Sequence, residues 1–160
     1  MKNGLAEYNL RVVVSGSGTL DPEAQIFQKR FSPIIVLATG RAPETRLRKL
    51  RRVADEVKIF GDDELDFPAA LAWLREKWKV KRLLCEGGGE VNGSLFRAGL
   101  VDEIYQTHCP LIFGGANAPT MADGRGVDAV ADATKLRLKS LKRIGSELFL
   151  VYRVEKKPWP

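Results

Sequence analysis

Metal-binding and redox-active side chains are scarce in this sequence. It has one histidine, His108, and two cysteines, Cys85 and Cys109, in 160 residues. One histidine and two distant cysteines leave no zinc constellation, so no metal is expected. Both cysteines stand in apolar, strand-like runs. They read as buried free thiols in a reducing compartment and not as a disulfide framework. No apolar run approaches the length of a membrane-spanning helix, so no membrane partner is expected. Residues 1–9 contain no apolar signal-peptide core, and a cytoplasmic location is expected. Repeats, low-complexity tracts and interdomain linkers are missing too, and residues 1–160 are expected to form one domain.

Basic residues are in excess. Lys and Arg total 26 against 20 Asp and Glu, a net charge of +6. That balance favours an anionic partner, whether a nucleic acid, a phosphorylated cofactor or a phosphorylated substrate. Arg41, Arg46, Arg48, Lys49, Arg51 and Arg52 fall close together, and residues 135–143 hold a second basic group. Neither stretch has the interleaved aromatics of a single-strand binder. A solvated helix face explains both, and no nucleic-acid partner is expected.

The most informative stretch begins with an apolar run at residues 82–85. It passes through Glu86 into Gly87, Gly88 and Gly89, then into a helical pattern at Val91, Leu95, Phe96 and Leu100. Glycines between a strand and a helix let the backbone approach a ligand closely. The N–H groups and dipole at the helix start favour an anion there. The run fits a phosphate cradle, and it also fits a tight turn that binds nothing. It is neither G-x-G-x-x-G nor a P-loop.

Around it the pattern alternates. Strands are predicted at residues 10–14, 33–39, 56–60, 82–85 and 103–109. The run at 33–39 is continuously apolar, as in a strand buried on both faces. Pro43 opens a basic helix with Leu47, Leu50 and Val53 inward. Asp66 can cap a helix whose apolar positions are Phe67, Ala70, Leu71, Leu74 and Trp78. Residues 136–144 and 147–154 alternate about Gly145-Ser146 and predict an antiparallel hairpin. The expected fold class is α/β, with a mostly parallel central sheet flanked by helices. In such sheets ligands bind beyond the carboxyl ends of the strands. Ser15-Gly16-Ser17-Gly18, Thr39-Gly40-Arg41 and Glu86-Gly87-Gly88-Gly89 all lie there, a combination suited to a ligand with several phosphates.

Three ordered motifs carry a resemblance. They are Cys85-Glu86-Gly87-Gly88-Gly89-Glu90-Val91-Asn92-Gly93-Ser94-Leu95, then Ala98-Gly99-Leu100-Val101-Asp102-Glu103, then Cys109-Pro110-Leu111-Ile112-Phe113-Gly114-Gly115. With the stretch from Val12 to Pro22, the sequence resembles the C-terminal reductase domain of bifunctional riboflavin-biosynthesis deaminase/reductase proteins. The resemblance spans residues 10–153. It implies a three-layer, dihydrofolate reductase-like fold and an NADPH-dependent reductase. The implied reaction converts the ribosylamino group of a pyrimidine substrate into a ribitylamino group, as in 5-amino-6-(5-phosphoribosylamino)uracil reductases. It implies that Gly87, Gly88 and Gly89 hold the pyrophosphate and that Ser15 and Ser17 lie near the adenosine 2′-phosphate. The strand-end rule adds Thr39 and Arg41 to the expected cofactor set, and the resemblance puts Glu86 at the substrate end. A catalytic residue is not implied, because a nicotinamide carries the hydride chemistry. Cofactor preference is expected to favour NADPH, since a carboxylate for the ribose 2′-hydroxyl does not stand at Ser15 or Ser17.

The family pattern includes an N-terminal segment with a first central strand and an Asp-rich substrate loop. Residues 1–9 do not match it, and the N-terminal part of the family domain is expected to be absent. The alternatives are therefore a non-catalytic dinucleotide-binding or assembly module, or a reductase with another substrate. The resemblance also implies a homodimer and a crossing of residues 110–115 over the cofactor edge. The alternating C-terminal strands offer an extended apolar edge, which is expected to place Leu148, Leu150 and Tyr152 near the dimer contact. Among single residues, His108 reads as a core or edge histidine. Asp102 and Glu103 read as anchors of a turn or subunit contact, and Trp159 as surface packing.

Overall fold

A computed structural model describes residues 7–155. Trp159 lies outside them. The chain separates into two compact units, Met1–Arg82 and Leu83–Pro160.

In the first unit the order is β1 (Arg11–Val14), α1 (Gln25–Gln28), β2 (Ile34–Ala38), α2 (Glu44–Leu50), β3 (Glu56–Ile59) and α3 (Phe67–Trp78). The three strands are parallel in the order β1-β2-β3, with Val13 opposite Val36 and Val36 opposite Val57. All five residues of β2 are buried, as its unbroken apolar run requires. Successive strand side chains point to opposite faces. Ile34 and Val36 therefore pack with Phe27, Leu50 and Ala54, while Ile35 and Leu37 pack with Ala70 and Leu74. Helices thus cover both faces of β2. Burying each of these larger aliphatic side chains contributes about 1.5–3 kcal/mol.

The helix ends follow local chemistry. The Asp66 carboxylate accepts the Ala69 N–H at 3.0 Å and starts α3. Lys79, in the left-handed region at φ 56°, ends it. Glu44 stands in the first turn of α2 and Arg48 and Lys49 in its last, matching the helix dipole. The predicted inner residues Leu47 and Leu50 are buried, and Val53 is half-buried just beyond the helix.

The second unit contains α4 (Gly89–Arg97), β4 (Glu103–His108), β5 (Leu136–Ile144) and β6 (Glu147–Val154). Its sheet is antiparallel in the order β4-β6-β5. The predicted hairpin is present, with Ile144 opposite Glu147. A register irregularity between Leu138 and Ser140 falls at Lys139, and its ammonium lies 2.7 Å from the Glu103 carboxylate. Arg153, directly opposite Glu103 on β6, approaches the same carboxylate at 3.2 Å. Glu103 thus draws on all three strands. Its carboxyl is held below the usual range, first by the hydrogen bond from Lys139, then by that from the Tyr105 hydroxyl, with further help from the Lys139 charge and Arg153.

Three expectations need correction. Residues 82–85 form no strand; Leu83 and Leu84 are 45% and 72% exposed. A strand exists only where a partner takes up its N–H and C=O groups, and neither sheet includes these residues. Cys85 and Cys109 are exposed thiols, because one sits in that unpaired run and the other just past the end of β4. Strand β6 is the centre of its sheet, so Leu148, Leu150 and Tyr152 do not form an edge. His108 lies on an edge strand, β4, as one reading of it had it. Among the described residues no helix is long and apolar enough to cross a membrane.

Candidate functional site

Parallel strands place their carboxyl ends along one side of a sheet, and in the first unit three loops meet there. The Thr39 N–H donates to the Gly16 carbonyl at 3.0 Å, the Gly40 N–H to the Gly61 carbonyl at 3.0 Å, and the Arg41 N–H to the Asp62 carbonyl at 3.1 Å. The loops after β1, β2 and β3 are thereby fastened together. Ser15, Ser17, Thr39 and Arg41 are all in this group.

Their side chains differ in availability. Thr39 is 1% exposed, and its hydroxyl donates to the Gly16 carbonyl at 2.9 Å. It braces the loop after β1. The Ser17 hydroxyl lies 3.2 Å from that of Thr19, and the Ser17 carbonyl accepts from Arg46 at 3.2 Å. The Arg41 guanidinium reaches back over Gly16, 3.8 Å from where a Cβ would stand. It is exposed and makes no ion pair among the described residues. A free guanidinium beside two serines and exposed turns fits a phosphate. A cavity of about 280 Å³ adjoins this region, lined by Gly18, Thr19, Leu20, Asp21, Pro22, Arg46 and Lys49. The basic cluster is partly spent locally: Arg46 holds Ser17, and Arg51 pairs with Glu44 at 2.5 Å.

The glycine run lies in the second unit, and its members have different surroundings. A Cβ on Gly87 would touch Val91 and Cys85 at 3.4–3.5 Å. Gly88 is open, with nothing within 4 Å of that position. It is the N-cap of α4 at φ −66°, ψ 172°, without a side-chain cap. That conformation suits any residue, so openness and not positive φ distinguishes it. Gly89 and Gly93 are packed: a methyl group on either would overlap Asp123. The Asp123 N–H donates to the Gly89 carbonyl at 2.9 Å, and Asn92 donates to the Met121 carbonyl at 2.9 Å. Residues 120–123 therefore lie against the first turns of α4, with a carboxylate where the dipole favours an anion. Gly89 serves this contact, and the exposed part of the cradle is at Gly88. Glu86, one residue ahead of the glycines, is exposed. The Cys85 thiol donates to the Asn92 side chain at 3.3 Å. Residues 110–115 are irregular, with Ile112 and Phe113 98% and 94% exposed.

The sequence reading passed over Asp62 and Asp123. The strand-end rule applied to β1 and β2 would have found Asp62, since Gly61-Asp62 ends β3 in the same way. Nothing local marks Asp123, whose role comes from a contact distant in sequence.

With a parallel sheet covered by helices in the first unit and a three-stranded antiparallel sheet in the second, the chain is α/β and dihydrofolate reductase-like in fold. Solved structures agree. A pyrimidine reductase-like protein from Corynebacterium diphtheriae has a TM-score of 0.73 at 23% identity, covering 91% of this chain and 61% of that one. Acinetobacter baumannii RibD has a TM-score of 0.68 at 16% identity, covering 91% and 37%. The chain belongs to the RibD C-terminal domain family, whose model matches residues 2–150. Among its relatives is a 2,5-diamino-6-ribosylamino-4(3H)-pyrimidinone 5′-phosphate reductase from Aquifex aeolicus, 32% identical over 92% of this chain. A protein of the same name from Methanothermobacter thermautotrophicus is 34% identical over 91%. The chain spans 66% of the length of each.

Proposed function

We propose that this chain is an NADPH-dependent oxidoreductase of riboflavin biosynthesis acting on 2,5-diamino-6-ribosylamino-4(3H)-pyrimidinone 5′-phosphate. The observation that carries this reading is the 32–34% identity to reductases of that name over nine-tenths of the chain. RibD proteins, at 24–27% in the examples from Bacillus amyloliquefaciens and Actinobacillus pleuropneumoniae, are more distant. That ordering favours the diaminopyrimidinone over the aminouracil substrate. Within the first unit, the reading is supported by the free Arg41 guanidinium at the joined strand-end loops; within the second, by the open backbone at Gly88.

A bound NADPH would supply the hydride for reducing the ribosylamino carbon, a reduction that opens the sugar ring and takes up one proton at the ring oxygen. The chain's own residues bind and orient. Ser15, Ser17 and Arg41 receive the adenosine 2′-phosphate, and Thr39 holds their loop in place. Gly87 and Gly88 offer backbone N–H groups to the pyrophosphate, while Gly89 keeps Asp123 in position beside them. Glu86 accepts hydrogen bonds from sugar hydroxyls. Orientation of this kind accounts for much of the barrier lowering when the reagent itself is reactive.

The protein works in the cytoplasm as a homodimer in this reading. The contact falls on β5, whose Leu136, Leu138, Leu141 and Ile144 are exposed on an edge strand. Light scattering at micromolar concentration checks this, and a monomer would refute it. The reaction is tested by offering both pyrimidines with NADPH and separating the products. The diaminopyrimidinone should give the ribitylamino product faster. Faster turnover of the aminouracil would reverse the substrate assignment.

A further inference from the structure

We propose that Asp62 limits the preference for a 2′-phosphorylated dinucleotide by opposing Arg41 at the edge of the parallel sheet. This rests on the dinucleotide reading above.

The placement is specific. A Cβ built on Gly40 would stand 3.3 Å from the Asp62 carboxylate and 3.4 Å from the Asp62 Cα. The Asp62 carbonyl accepts the Arg41 N–H at 3.1 Å, and the Gly61 carbonyl accepts that of Gly40 at 3.0 Å. Two backbone hydrogen bonds and a side-chain-free position thus hold Asp62 against the end of β2. Asp63 shares no such bond with this strand end among the described residues. The two charged groups stand on adjoining, hydrogen-bonded loops, Arg41 over Gly16 after β1 and Asp62 over Gly40 after β2. Both side chains are exposed, and they form no ion pair with each other or with any described residue. Each is free to meet a ligand.

Their chemistry divides two ribose types. A carboxylate accepts hydrogen bonds from the hydroxyls of an unphosphorylated adenosine ribose, and it repels a phosphate at the same place. A guanidinium pairs with that phosphate. Ser15 and Ser17 alone suggest a strong bias towards NADPH. A carboxylate on the neighbouring loop works against it, so NADH gains a contact that NADPH cannot use.

Dissociation constants for NADPH and NADH, measured by fluorescence titration of the full chain, test this. Asp62→Asn should raise the preference for NADPH about tenfold, the worth of one charge-assisted hydrogen bond. Arg41→Gln should lower it by a similar factor, and the double variant should return close to the starting ratio. Asp63→Asn should change the ratio by less than about twofold, since an exposed charge without a contact is screened. An unchanged ratio in Asp62→Asn, with both cofactors still bound, would overturn the role of Asp62 and leave the reductase reading standing. An equal shift in Asp63→Asn would also overturn it, by showing that only net charge matters. Failure of the unaltered chain to bind either cofactor would overturn the dinucleotide reading and this inference with it.

Discussion

Five consecutive strand residues, Ile34–Ala38, are buried in the first unit, whereas nine consecutive strand residues, Leu136–Ile144, are exposed in the second. Among the described residues, Leu95 is the single buried apolar residue of the second unit; Phe27, Ile34, Leu37, Leu50, Leu74 and the rest of the core lie in the first. The first unit is therefore held by apolar packing on both faces of β2. The second is held by ladder hydrogen bonds, by the ion pairs around Glu103 and by the contact of residues 120–123 with α4. Strand geometry alone does not create a core. A long alternating hairpin can form its ladder while the apolar side chains of its outer strand, β5, stay exposed and those of β6 are only half-buried.

The contrast is most sharply broken or upheld by truncating one side chain on each side of it. Leu37→Ala should cost about 2–5 kcal/mol, the range for buried leucines. Measured on the dissociated protomer, Leu138→Ala, at a half-exposed position, should stay within about 0.5 kcal/mol. Urea unfolding of both variants measures the difference. Equal losses would mean that the hairpin is as well packed as β2.

A smaller effect separates two glycines of the second unit. Gly93→Val places a side chain into the Asp123 backbone and should destabilise by roughly 1–3 kcal/mol through overpacking. Gly88→Val enters open space at an extended backbone, so its melting temperature should hold while NADPH binding is lost. If Gly88→Val binds normally, the glycine run is a turn and not a cradle.

The smallest effect belongs to the ion pairs. The folded Glu103 carboxyl is held below its ordinary value of 4.5. Its contribution is present above that value and is lost as pH falls through the lower folded value. The unfolding midpoint should therefore decline with acidification in this range, and Glu103→Gln should flatten the decline. Its side chain is 18% exposed and its partners about half exposed, so the change should be modest. An identical pH profile in the variant would assign the acid sensitivity elsewhere.

Much of the first unit was legible in the sequence because its signals are local. The unbroken run of β2, the Asp66 cap and the spacing of Phe67, Ala70 and Leu74 each contain their own cause. The α/β class followed from alternation, and the dihydrofolate reductase-like fold from the resemblance that the ordered motifs carry. Residues 82–85 misled because an apolar run reports burial potential, while a strand needs a partner from elsewhere in the chain. The cysteines misled for the same reason. At the site, Ser15, Ser17, Thr39 and Arg41 were legible as a group from the strand-end rule. That the Thr39 hydroxyl is occupied was not, since it depends on the approach of Gly16. Asp62 escaped because Gly61-Asp62-Asp63-Glu64 looks like an ordinary polar loop until β3 is placed beside β2. The packing of Gly89 and Gly93 against Asp123 escaped because that residue is thirty or more positions away.

The central claim is that this chain reduces a ribosylaminopyrimidine with NADPH. It is tested most directly by incubating the protein with NADPH and 2,5-diamino-6-ribosylamino-4(3H)-pyrimidinone 5′-phosphate and following cofactor and product together. The account predicts one NADPH oxidised for each ribitylamino product formed. Saturable NADPH binding without any product from either pyrimidine would contradict it, and would leave a dinucleotide-binding module in place of a reductase.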